Sequence, residues 1–289
     1  MFGHGRRPSG GKQRPAPQWS RQKMLALLIG AGVTAVLFVV GIVLAVVYAV
    51  HPARHTAEQD TTSATSTTGD GGTGKSGHSG TTVDPRDALA DKPMPTVDQA
   101  ESHPGPVSTN DPGTPITLPA ATSSGPAQVP TGFPHTPQGA MAQLAAIDQT
   151  ALQSGTLAGA REVIAGWAMP GGPTTSSWSG VQAMAEFFDA AGLSGGGNNQ
   201  LAIVATPLMG QIKGSVGADF VVPCVDYEID VTLQQTSRGA AADCQRMVWN
   251  GTRWMVGPGS EPAPAPSVWP DTDTAISVGY RDLRQETPR

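Results

Sequence analysis

Three patterns of hydrophobic and polar positions follow one another along the chain. Residues 24–50 form an uncharged apolar run, residues after Thr136 repeat their apolar positions at helical spacing, and a later stretch alternates apolar with polar residues. Between the first two patterns, large apolar residues are sparse and have no period. The patterns predict four segments: a disordered basic tail (1–23), a transmembrane helix (24–50), a disordered Thr/Gly/Pro/Ser-rich linker (51–135) and an extracytoplasmic domain (136–289).

The apolar run is long enough to cross a membrane. A helix over 24–50 is about 40 Å long, against a hydrocarbon thickness of ~30 Å. It is too long for the apolar region of a cleaved signal peptide. The tail before it is basic and has no acidic residue, so the positive-inside rule places the tail in the cytoplasm and everything after Val50 outside. We therefore expect a single-pass cell-membrane protein whose partner is the bilayer.

The helical pattern predicts three helices in the domain. Thr136 as N-cap and Pro137 at the first helical position start the first helix, and Gly155 ends it. The second helix spans 158–168. In the third helix the apolar residues share one face, namely Trp178, Val181, Met184, Phe188 and Ala191.

The alternating pattern predicts strands over 201–208 and 219–235 and a hairpin of 240–249 with 252–256, turned by Asn250-Gly251. Pro223 lies inside the long strand, where it predicts a bulge or an edge position. Helices followed by strands indicate an α+β domain of three helices packed on a curved antiparallel sheet, with a Pro-rich C-terminal segment that Trp269 anchors.

The long strand also carries an acidic row. Asp226, Glu228 and Asp230 share one face of it, and apolar residues share the other. A solvated outer face is the expected environment of this row.

Cys224 and Cys244 are the only cysteines, and the predicted topology places them in an oxidising compartment. A structural disulfide follows, and it constrains the register. A turn at 235–238 would separate the two cysteines, whereas a turn centred near Gln234 sets them directly opposite each other. Bulged strands or strands that are not neighbours remain alternatives.

Composition removes several classes of function. The chain has 289 residues, a net charge of -5 and a sequence pI of about 5.6, which argues against binding to nucleic acid. The region assigned to the domain contains no histidine, so catalysis by Ser-His-Asp or Cys-His and His-ligated metal sites are excluded there. We expect a non-enzyme with no catalytic residues, no metal and no cofactor.

Met247, Trp249 and Trp254 are expected to share one face of the last hairpin. Such residues either line a ligand pocket or pack against the helices as core.

Two motifs carry a resemblance to a known family. The segment TPQGAMAQLAAIDQTAL opens the first helix, and CQRMVWNGTRWMVGPG closes the last hairpin. Together with the layout, they resemble actinobacterial single-pass proteins that carry a nuclear transport factor 2-like domain, among them the bitopic components of conjugation and type IV secretion channels. Membrane proteins associated with mycobacterial lipid-import operons share the layout.

The resemblance implies a non-catalytic assembly or scaffold subunit that contacts other subunits of a transport apparatus, with homo-oligomerisation as an option. The alternative is a ligand-binding accessory module of a lipid-import system. That alternative requires an open apolar pocket with a few inward polar groups, and a filled core would exclude it.

Overall fold

The computed structural model describes residues 83–193 and 200–286. These residues form an α+β domain with five α-helices and a curled sheet that makes a half-barrel. The basic tail and the predicted transmembrane helix at 24–50 lie outside the described residues. Within the described ranges, no helix has both the length and the apolar character that a membrane crossing requires.

Local signals set the helix boundaries. The helices are α1 (Pro85–Ala90), α2 (Pro137–Gln153), α3 (Leu157–Trp167), α4 (Ser179–Ala190) and α5 (Asp273–Ser277). The Thr136 hydroxyl accepts a hydrogen bond from the Gly139 N–H at 3.1 Å, and Thr156 caps α3 in the same way. Gly155, at a φ of 63°, follows α2, because a left-handed residue stops a helix at little cost in glycine. The three predicted helices are confirmed as α2, α3 and α4.

The sheet is mixed, with one parallel pair. Its strands are β1 (Ile116–Leu118), β4 (Ala202–Ser215), β5 (Phe220–Thr232), β6 (Thr236–Cys244), β7 (Met247–Trp249), β8 (Trp254–Val256) and β9 (Arg281–Gln285). A separate small hairpin consists of β2 (Ser123–Ser124) and β3 (Pro130–Thr131). The strand order is β1-β9-β4-β5-β7-β8, β6 also pairs with β5, and only β1–β9 is parallel among these pairings.

Pro223 interrupts the sheet as predicted. β6 and β7 follow one register along β5, with Cys224 opposite Cys244 and Val221 opposite Met247. Pro223 has no N–H to give the facing Gln245, so the ladder breaks there. On the other side of β5, the register with β4 shifts just beyond Ile212, which faces Pro223. The bulge is therefore confirmed, and the predicted strand over 240–249 is divided in two.

The last hairpin forms with a wider turn than predicted. Trp249 pairs with Trp254, so the turn spans four residues rather than Asn250-Gly251 alone. The Asn250 side-chain oxygen accepts hydrogen bonds from the N–H groups of Thr252 and Arg253, both at 3.0 Å. These bonds stabilise the longer loop.

The predicted linker boundary at residue 135 is wrong, because residues 83–135 belong to the folded domain. Ile116 pairs with Leu283 at the far end of the chain, and Leu118, Val129 and Phe133 are buried in the main core. Strands of two or three residues between prolines show no period. Their partners are remote in sequence, so a window-based pattern does not reveal them.

The sheet is buried on both faces. The main core lies between helices α2–α4 and one face. On the opposite face, the chain between β8 and β9 (residues 257–280, here called the C-terminal segment) covers Met209 and Cys224 with Val268 and Tyr280. Trp269 is only 8% exposed, which confirms its predicted anchoring role.

Candidate functional site

A cavity of about 220 Å³, partly open to solvent, lies between α4 and the β5–β6 part of the sheet. Most of its wall is apolar; α4 contributes Met184 and Phe187, and β5 contributes Ile229 and Val231. The β6 wall runs from Ser237 to Asp243, and its central part is the run Gly239 to Ala242. Because these residues have almost no side-chain volume, the helix and the strand leave space between them.

The floor of the cavity carries a buried hydrogen-bonded pair. The Tyr227 hydroxyl donates to Asp148 Oδ2 at 2.7 Å. Asp148 comes from α2 and is 5% exposed, and Tyr227 comes from β5 and is 2% exposed. Asp148 Oδ1 and the Nε1 of Trp178, another lining residue, have no hydrogen-bond partner among the described residues. Buried polar atoms in this state are costly unless a bound molecule or water reaches them.

Two more carboxyls lie close to this pair. Asp243 faces Val225 across the β5–β6 ladder and therefore points to the same side as Tyr227. The Gln245 side chain donates to both Asp243 oxygens, at 3.0 and 3.1 Å. Glu261, from the C-terminal segment, accepts from the Ser179 N–H at 2.9 Å. We call Asp148, Asp243 and Glu261 the acid cluster.

Burial and mutual repulsion raise the pKa values in this cluster. Burial, followed by the charge of Asp243, holds the pKa of Asp148 well above its usual range, although the Tyr227 hydrogen bond opposes the shift. Burial and the charge of Glu261 raise the pKa of Asp243 to about 7. Burial and the neighbouring Asp148 also hold the pKa of Tyr227 well above its usual range. Among these groups, Asp243 therefore titrates near neutral pH.

The hairpin aromatics are core residues and do not line the cavity. Met247 and Trp254 are fully buried, and the Trp254 Nε1 donates to the Pro134 carbonyl at 3.0 Å. Trp249 is partly buried and stacks on His135, with 4.4 Å between ring centroids. Of the two uses predicted for these residues, packing is the one observed.

His135 also changes the histidine argument. Its Nε2 lies 2.9 Å from Asp219, and its ring belongs to the folded domain. The exclusion of histidine chemistry from the domain therefore rested on a boundary that is wrong. Among the described residues, no group of three or more His, Cys, Asp or Glu side chains is arranged to hold a metal.

The expectation of a solvated acidic row is wrong for Asp226. It is fully buried beneath the C-terminal segment, and its Oδ1 accepts from the Val268 N–H at 3.5 Å. Glu228 and Asp230 are instead paired with Arg238, whose guanidinium also lies over the Trp269 ring. Strand alternation predicted the shared face but not the chain segment that covers it.

The cysteine prediction is confirmed in both pairing and register. Cys224 and Cys244 form a disulfide with a Cα–Cα distance of 4.1 Å. Thr232 pairs with Thr236, so the turn is centred at Gln234, the alternative that sets the cysteines opposite each other.

Sequence reasoning missed the acid cluster, although one signal for it was present. Asp148 follows Leu144 by four residues and precedes Ala151 by three, so it lies on the apolar face of α2. An acid on a buried helix face indicates a special environment. Asp243 and Glu261 carried no comparable signal, because their surroundings come from tertiary contacts.

Comparison of the chain with protein-family models, with curated proteins and with solved structures finds no match.

Proposed function

We propose that the domain is a binding module for a small, largely apolar molecule. The observation that carries this proposal is the cavity of about 220 Å³ walled by apolar side chains, with a few buried polar groups at its floor. It supports the accessory ligand-binding alternative, which requires an open apolar pocket rather than a filled core.

The cavity size indicates the size of the ligand. Sites for drug-sized molecules occupy ~300–1,000 Å³, so this cavity takes something smaller or one end of a longer chain. An engineered cavity of about 150 Å³ holds benzene, which has six non-hydrogen atoms. At the same volume per atom, this cavity holds a molecule of about nine non-hydrogen atoms.

Sequence and structure together support an extracytoplasmic position for this module. The basic tail precedes the apolar run 24–50, which favours a cytoplasmic N-terminus. The Cys224–Cys244 disulfide is typical of an oxidising compartment. We propose a single-pass protein that holds its module outside the cell membrane, in a fold of the nuclear transport factor 2-like kind.

Binding of phenethyl alcohol to the full-length chain in detergent tests the function. This neutral probe has about nine non-hydrogen atoms, matching the cavity. Isothermal titration calorimetry is expected to give saturable binding to the wild-type chain. Ala183→Leu, which adds side-chain volume at the cavity wall, is expected to abolish it.

Ala185→Leu is the matched control, since Ala185 is on the same helix and does not line the cavity. Saturable binding that Ala183→Leu and Ala185→Leu leave equally intact would place the ligand elsewhere. Absence of saturable binding to the wild-type chain would remove the support for a small-molecule module.

A scaffold role in a conjugation or secretion apparatus is the second candidate. The tethered topology that the sequence predicts and the disulfide support it, since an extracytoplasmic domain on a membrane tether is able to contact other extracytoplasmic subunits. Crosslinking in membranes tests it: recovery of the same transport-apparatus subunits from wild-type and Ala183→Leu chains would support a scaffold that is independent of the cavity.

A further inference from the structure

The acid cluster has no cationic partner among the described residues. None of Asp148, Asp243 and Glu261 forms an ion pair there. Arg238 also contributes to the cavity wall, but its guanidinium pairs with Glu228 and Asp230. Three interacting carboxyls, of which Asp148 and Asp243 line the cavity, therefore lack an ion-pair partner among the described residues.

Unpartnered atoms indicate that this end of the cavity is built for a ligand. Asp148 is 5% exposed, and its Oδ1 is a free acceptor in the described part of the chain. The other oxygen is fixed by Tyr227, which holds the carboxyl in place. Burying a carboxyl without a partner costs free energy that a bound donor recovers.

Aromatic rings surround the same space. Trp178, Phe187 and Tyr227 all line the cavity. An ammonium group is attracted both to aromatic faces and to carboxylates, whereas a carboxylate ligand would be repelled by the acid cluster.

We propose that the cavity ligand is an apolar amine, whose ammonium group donates to the Asp148 carboxylate and compensates its charge. This inference rests on the proposed function and specifies its ligand class. Because the ammonium group carries one positive charge, its binding displaces one proton, that of Asp148, into solvent. The groups that interact with Asp148 are Tyr227 on β5, Asp243 on β6 and Glu261 on the C-terminal segment. Glu186 on α4 and Arg238 on β6 also line the cavity.

Three probes of one size separate the head groups. Phenethylamine, phenethyl alcohol and phenylacetate are titrated into the full-length chain in detergent at neutral pH, in two buffers with different ionisation enthalpies. Phenethylamine is expected to bind roughly tenfold or more tightly than the alcohol, since a charge-assisted hydrogen bond replaces a neutral one. Only the amine is expected to show an enthalpy that depends on the buffer, which reports proton release.

Two neutralising variants locate the interaction. Asp148→Asn and Asp243→Asn are each expected to weaken phenethylamine binding roughly tenfold while leaving phenethyl alcohol binding within about twofold. Asp189→Asn is the control. This substitution removes the same formal charge, but Asp189 is exposed on α4 and does not line the cavity.

Each outcome decides between the two proposals. Equal or tighter binding of the alcohol, or amine binding without proton release, would overturn the amine assignment and leave the apolar-ligand function standing. Failure of both the alcohol and the amine to bind would overturn both. If the variants fail to fold, the buffer dependence measured on the wild-type chain still decides the amine assignment.

Discussion

Replacing Asp243 tests the electrostatics of the cavity floor through stability. Its pKa in the folded chain is raised from 3.8 to about 7, first by burial and then by Glu261. Between these two values the unfolded chain has lost the proton and the folded chain still holds it. Stability is therefore fully present below the unfolded pKa and is lost as pH rises through the folded pKa.

The magnitude follows from the shift. The rise in the pKa of Asp243 from 3.8 to about 7 means that the unfolding free energy falls by about 4 kcal/mol between acidic and neutral pH. Asp243→Asn removes this dependence while keeping the shape of the side chain. The variant is also expected to lower the pKa of Asp148, because the Asp243 charge is among the causes that raise it.

Urea unfolding followed by tryptophan fluorescence, repeated from about pH 4 to 7.5, measures the effect. The unfolding free energy of Asp243→Asn minus that of wild type is expected to rise by about 4 kcal/mol across this range. Asp189→Asn replaces an exposed residue and is expected to leave the dependence of unfolding free energy on pH as it is in the wild type. A wild-type pH profile in Asp243→Asn would refute the reasoning, because the carboxyl would then titrate normally in the folded chain.

Three further variants test the fold by the same unfolding measurement. Replacing both Cys224 and Cys244 by alanine is expected to lower the unfolding free energy by about 3 kcal/mol, because the disulfide links residues with a sequence separation of 20. An unchanged unfolding free energy of the wild-type chain under reducing conditions would contradict a stabilising disulfide. Leu118→Ala is expected to lower the unfolding free energy by about 2–5 kcal/mol, whereas Val107→Ala, at an exposed site, is expected to change it by no more than about 0.5 kcal/mol. Equal effects of the two substitutions would contradict the burial of Leu118 in the folded domain. Thr156→Ala removes the α3 cap and is expected to cost about 1 kcal/mol; an unchanged unfolding midpoint would show that the cap is dispensable.

Sequence reasoning reached the elements whose signals are local. The Thr136 cap, the Gly155 stop and the alternation along β5 each lie within one turn or one strand, so α2 was predicted nearly to the residue and β5 with an end three residues too late. The expected disulfide added one remote constraint that made the turn centred at Gln234 one of the alternatives, and the structure shows that turn.

The same reasoning missed what depends on remote partners. Ile116 becomes a strand residue because Leu283 pairs with it from the other end of the chain. Glu261 comes near Asp243 through the fold of the C-terminal segment, and its neighbours in sequence are Ser260 and a run of alternating proline and alanine. Neither of these long-range contacts leaves a periodic pattern in the sequence, so they could not be predicted without the topology of the fold.

Two buried aspartates on the two faces of the domain show why burial alone does not define a site. Asp226 and Asp148 both have pKa values held well above the usual range, first of all by burial. Asp226 is packed under Val268 and does not line the cavity, so no ligand in the cavity can reach it. Asp148 has one oxygen fixed by Tyr227 and the other unpartnered at the cavity wall. Asp226 Oδ2 is also unpartnered among the described residues, so the position of Asp148 in the cavity wall, rather than the raised pKa or the free oxygen alone, is what assigns a binding role to Asp148.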